Sequence, residues 1–204
     1  DAALPTHVAR DIARVRWSKL VANLNNGVAA ATGLTLPEIA RTPVGRRISL
    51  HLMREGVQVA RAAGIQLDHG LYGLAPRAVR RDPAAAVVAL LQSALAPLLT
   101  RLPERAALAV IAGAARGPAG RLPVRGSTWQ SIARGRPSEV AYLNGEVVRR
   151  GCELGISTPY NSRVIEVMRE VERTRAFREV AALCPLATAT EGHPERSVLE
   201  AGAS

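Results

Sequence analysis

The chain has 204 residues, 48% of them hydrophobic and only 3% aromatic, and a formal net charge of +10. This composition excludes a disordered chain, and a core built from Ala, Leu and Val leans towards helices. Two cysteines, Cys152 and Cys184, and four scattered histidines give neither a disulfide framework nor metal-ligand spacing, so no metal site is expected.

Helical periodicity dominates along the chain. Residues 6–32 read as one long helix stopped by Gly33. The segment "PVGRRISLHLMREGVQVARAAG" (43–64) begins with a proline and ends with a glycine, and Ile48, Leu52 and Val59 share one apolar stripe. Residues 65–82 are looser. Residues 83–115 read as two helices separated near 102–103, and 116–126 is an irregular Gly/Pro-rich connection. A short helix over 127–135 follows, then a helix from Pro137 to the stop at Gly155, with Gly145 marking a close helix crossing. In "GISTPYN" (155–161) the Ser, Thr and Asn are expected to act as caps. A last helix spans 161–183.

Strand-like alternation is nearly absent, so the expected fold is all-α: an antiparallel helical domain over 1–183, with a loose tail over 184–204. The most apolar run, 84–99, is short for a bilayer crossing and is interrupted by Pro97. With no visible signal peptide, this predicts a cytoplasmic protein without a membrane partner. The Ala/Leu face of that run is a candidate homodimer surface. Because the chain begins at Asp1 rather than Met, it is expected to be part of a longer polypeptide.

Of the 27 basic residues one is lysine, Lys19, which leaves 26 arginines (27 − 1). The arginines are interleaved with Glu and Asp, with no long basic block and few aromatics to stack on bases, so nucleic acid is not an expected partner. A positive field also suits a small anionic ligand. On a helix, Lys19, Asn23 and Asn26 fall within an arc of roughly 60°, opposite Trp17, Leu20, Val21, Leu24 and Val28. Asparagine competes with the backbone inside helices, so this stripe calls for a reason other than solvation. Arginine keeps its proton under working conditions, whereas lysine can release one, which makes Lys19 a candidate proton donor to a carbonyl oxygen. The amides could hold a hydroxyl or carboxylate. In "GSTWQSIARGRPSEVAYLNG" (126–145), Ser127 could bind a carboxylate, and Glu139 falls in the first turn of a helix, where a carboxylate interacts well with the dipole.

"WSKLVANLNNGVAAATG", "LMREGVQVARAAGI" and "STWQSIARGRPSEVAYLNGEVVRRGCELGISTPYN", in this order and spacing, resemble the C-terminal helical domain of the ketopantoate reductase family over residues 15–172. The resemblance implies reduction of 2-dehydropantoate to pantoate by NADPH. Lys19 would be the general acid, Asn23, Asn26 and Ser127 would bind the substrate, and Glu139 would contact the cofactor. Glu55 matches a family Glu whose part, catalytic or structural, stays open. A related 2-hydroxy acid dehydrogenase or a non-catalytic dimerisation module are the alternatives. Asn26 comes three residues after Asn23 where many relatives have four, and Ser131 and Ala141 stand where the family often has Asp. No G-x-G-x-x-G in a strand–turn–helix context is present, so the partner half is expected to be an N-terminal dinucleotide-binding domain, and this chain alone is expected to be inactive.

Overall fold

A computed structural model describes residues 11–67, 98–121 and 138–185. Every regular element among them is helical. The fold is all-α.

The expected first helix is present with an interruption. Helix α1, Ile12–Asn23, is opened by Asp11, whose side chain accepts from the Arg14 N–H. Helix α2 is Asn26–Thr32, and Gly33, at φ 72°, ends it in the left-handed region. Leu24 (φ −56°, ψ −33°) and Asn25 (φ −71°, ψ −12°) stay right-handed, so the chain tightens locally without turning a corner. The three asparagines mark that interruption.

Residues absent from the sequence-based reading follow. Helix α3, Leu36–Arg41, is closed at its start by a capping box between Thr35 and Glu38. Helix α4, Pro43–Ala62, then runs through the middle of the domain, touching α1 and α3 and the helices that follow. Its expected stripe is correct: Ile48, Leu52 and Val59 are fully buried, each side chain contributing about 1.5–3 kcal/mol of burial. Helix α5, Glu104–Arg116, is tied to α4 where Glu104 meets Arg47 (3.4 Å), His51 (3.7 Å) and Arg54 (3.6 Å). Burial holds the His51 imidazole below its ordinary pKa, against the pull of Glu104. A single 3₁₀ turn, Pro118–Arg121, receives the Arg41 guanidinium at the Gly120 carbonyl (2.6 Å).

Helices α6, Val140–Glu153, and α7, Pro159–Thr174, pack on each other and on α2. The last helix therefore stops nine residues short of the expected 183. Arg175, at φ 57°, turns the chain back, so that the Arg178 N–H reaches the Ala31 carbonyl (2.9 Å). A second 3₁₀ turn, Val180–Leu183, then buries Leu183. No glycine or proline announces this reversal.

Close crossings occur at other glycines than expected. A Cβ on Gly27 would lie 2.7 Å from Val164 Cγ1, and one on Gly56 would lie 2.8 Å from Leu24 Cδ1. At Gly145 the nearest atom would be 3.8 Å away, an ordinary contact. The tight approaches therefore join α2 to α7 and α4 to the interruption, and Gly145 is no close crossing.

Candidate functional site

An open cleft of about 750 Å³ lies between α1 and the first half of α6. Lys19 and Asn23, one turn apart on α1, line it, with Glu139 at the start of α6 opposite. Three of the residues singled out in the sequence thus share one cavity. Trp17, Leu20, Tyr142 and Leu143 supply apolar wall. Arg16 adds a cation on the α1 side, and Arg149 stands at the far end bound to Glu146 (2.7 Å), which raises the guanidinium pKa. Ala141, where the family often has Asp, is part of the lining, so the cleft carries one carboxylate fewer at that point.

Each wall is fixed by local chemistry. The Ser18 hydroxyl donates to the Arg14 carbonyl (2.8 Å), while Trp17, Val21 and Leu24 are buried on the core side of the helix. That packing turns Lys19 outward, where it is exposed. Across the cleft, the Ser138 N–H donates to Glu172 Oε1 (3.0 Å), tying the start of α6 to the end of α7. Glu139 occupies the N-cap place of α6 without a side-chain capping bond, so its carboxylate is left to the cleft.

Asn26 lies elsewhere. It is buried beneath Asn23 and does not line the cleft, but its Nδ2 donates to Asn23 Oδ1 (3.2 Å). With its acceptor occupied, Asn23 has its Nδ2 donors left for a substrate oxygen. Ser127 and Ser131 lie outside the described residues, as does most of the 84–99 face. Among the described residues, no cluster of three His, Cys, Asp or Glu could hold a metal ion, and no helix is long and apolar enough to cross a membrane.

Glu55 is away from the cleft. Only 7% exposed, it accepts from the Tyr160 N–H (2.9 Å), the Asn161 N–H (2.9 Å) and Asn161 Nδ2 (2.7 Å). It caps the start of α7 from a neighbouring helix; Thr158, the local N-cap residue, makes no side-chain cap bond. Burial raises the Glu55 pKa, opposed by these three donors. Its observed part is structural. Asn161 in turn receives Asn144 Nδ2 (2.9 Å), and the same nitrogen donates to the Leu24 carbonyl (3.3 Å) at the helix interruption. Sequence reasoning missed Asn144. The signal was available: an asparagine followed by glycine in a helix interior, the residue type that also singled out Asn23.

Residues 11–172 match the family described as "Ketopantoate reductase PanE/ApbA C terminal". The chain belongs to this family. A PanE/ApbA family ketopantoate reductase from Ralstonia eutropha JMP134 shares 27% identity at a TM-score of 0.58, with 85% of this chain and 46% of that one covered. A D-mandelate dehydrogenase bound to NADH and anilino(oxo)acetate shares 19% identity at 0.55, covering 82% and 43%. A dimeric ketopantoate reductase from Staphylococcus aureus shares 19% at 0.52, covering 83% and 46%. The two structures at 19% identity show the shared helical fold. The chain spans about half the length of these solved structures. A comparison with curated proteins finds no significant match.

Proposed function

We propose that this chain is the substrate-facing half of an NADPH-dependent 2-keto acid reductase that converts 2-dehydropantoate to pantoate, with Lys19 as the proton donor. The supporting observation is the cleft that gathers Lys19, Asn23 and Glu139 from two separate helices. Its volume of about 750 Å³ falls within the roughly 300–1,000 Å³ of ligand sites. That is more than a small keto acid fills and leaves room for a nicotinamide ring beside it. NADPH supplies hydride to the keto carbon when bound, and Glu139 would hold it on the α6 side.

The chain's own residues then perform the proton half of the reaction. Asn23 Nδ2 donates to a substrate oxygen and orients it. Lys19 Nζ gives a proton to the keto oxygen as the carbonyl bond becomes a C–O single bond, and the product is an alcohol. The neutral amine left behind is reprotonated from water, which reaches an open cleft. Arg16 and Lys19 together favour a carboxylate-bearing substrate over a neutral ketone, and Ser127 would bind that carboxylate. Asn26 acts on the substrate through Asn23. On this reading the protein works in the cytoplasm, in pantothenate and coenzyme A biosynthesis, together with an N-terminal dinucleotide-binding domain and in a homodimer.

The test is NADPH and NADH oxidation by the full-length protein on a panel of 2-keto acids, including 2-dehydropantoate and phenylglyoxylate. Selective turnover of 2-dehydropantoate, lost in Lys19→Ala with the fold intact, supports both substrate and donor. Preference for phenylglyoxylate keeps the mechanism and changes the substrate. Turnover that survives Lys19→Ala refutes the assignment of the proton donor.

A further inference from the structure

We propose that Asn144 is a positioning residue for this reaction: its amide clamps the interruption between α1 and α2 and thereby sets how Asn23 faces the cleft. The inference rests on the reading of the cleft given above.

Asn144 is fully buried and cannot touch a substrate. It belongs nevertheless to α6, whose exposed face forms one wall of the cleft, and it bonds to the residue that follows α1, the helix that forms the other. The atom it grips is the Leu24 carbonyl, next in sequence to Asn23. A rotation of the chain at Leu24 would swing the Asn23 side chain and the Asn26 amide bonded to it. Asn144 is itself held from behind, because Asn161 Oδ1 accepts from it while Asn161 Nδ2 donates to Glu55 Oε2 and the Leu52 carbonyl (3.4 Å). The clamp therefore runs from α4 through the start of α7 and through α6 to the helix that carries Lys19.

Two further observations describe the surroundings of this amide. Asn144 Oδ1 is buried with no hydrogen-bond partner among the described residues, a cost that an apolar residue of similar volume would avoid. Gly27 keeps space beside it, since a Cβ there would come 3.2 Å from Asn144 Oδ1 and closer still to Val164. The backbone of α2 is brought in close, against this amide.

The experiment compares wild type, Asn144→Ala, Asn23→Ala and the double variant in the full-length protein, reading KM and kcat on the preferred keto acid. Hydrogen exchange of the amides of residues 24–29 is read alongside. Asn144→Ala is expected to raise KM about five- to tenfold, the effect of one misdirected hydrogen bond. The same change should have little further effect once Asn23 is already Ala. Exchange at 24–29 should rise. The isostere Asn144→Asp has, when protonated, a single O–H for two acceptors, the Leu24 carbonyl and Asn161 Oδ1, so its KM should fall only part of the way towards the wild-type value as pH is lowered. It also guards against a fold lost in the alanine variant. Unchanged exchange, or KM effects of Asn144→Ala and Asn23→Ala that add, would overturn the proposal. If Lys19→Ala and Asn23→Ala change no turnover, the reading of the cleft fails, and the exchange at 24–29 still decides whether Asn144 is the clamp.

Discussion

Glu55 and Glu139 each stand where a helix begins, and they serve that place in opposite ways. Glu55 is buried and gives both oxygens to the N–H groups at the start of α7 and to Asn161. Glu139 is exposed at the start of α6, makes no capping bond and lines the cleft with Lys19. A carboxylate whose lone pairs are filled by its own protein builds structure, and one whose lone pairs are unfilled is available for chemistry. The same contrast separates Asn161, whose amide is partnered on both ends by Asn144, Glu55 and Leu52, from Asn23, which has an amide nitrogen left over.

The sharpest way to break this contrast is at the exposed end. Lys19→Ala should lower kcat by about 10²–10⁴-fold, the usual worth of a positioned general acid, with an unchanged thermal unfolding curve; steady-state kinetics and calorimetry on one preparation check both halves. Next comes the buried end. Glu55→Gln sets an NH₂ against backbone donors and should cost about 1–3 kcal/mol, a fall of roughly 2–4 °C in Tm for each kcal/mol. Glu139→Gln should stay within about 0.5 kcal/mol of wild type and change turnover instead. A loss of stability in both would erase the distinction.

The Glu55 pKa adds a pH signature. It is raised in the folded state above the ordinary 4.5, so the stability it contributes is fully present below that value and is lost as pH rises through the folded pKa. The gap between wild type and Glu55→Gln should accordingly be widest in acid and narrow as the pH is raised, read from urea midpoints. Smaller effects separate two glycines. Gly27→Ala should destabilise by about 1–3 kcal/mol through overpacking, because its Cβ would overlap Val164. Gly145→Ala, whose Cβ would make only an ordinary contact at 3.8 Å, should stabilise by about 0.5–1 kcal/mol. Equal outcomes for the two would show that the α2–α7 crossing is looser than its geometry indicates.

The fold class was legible because it depends on local signals. Ala and Leu content, Pro43 at a helix start and Gly33 and Gly155 at helix ends are properties of short windows. The capping box Thr35–Glu38 was equally local and was overlooked. What was not legible depends on distant partners. The interruption at Leu24–Asn25 answers to Asn144, 120 residues on, and the end of α7 answers to Ala31, which Arg178 meets from far along the chain. Likewise Glu55 could not be assigned before Tyr160 and Asn161 were seen to donate to it. Of the candidate site, Lys19, Asn23 and Glu139 line one cleft. Asn26 was taken for a cleft residue because an unbroken helix puts it on the same face as Asn23. Burial beneath α1 gives it a supporting place instead.

Helix α2 is buried along its whole length, Asn26 to Thr32. It leaves almost no freedom for sequence drift, since every substitution there must fit α6 and α7 at once. The α6 wall of the cleft, with Ala141 and Tyr142 exposed, can change without disturbing the core. New substrate preferences in this domain should therefore arise by variation on the α6 face, while α2, enclosed on every side, stays nearly unaltered.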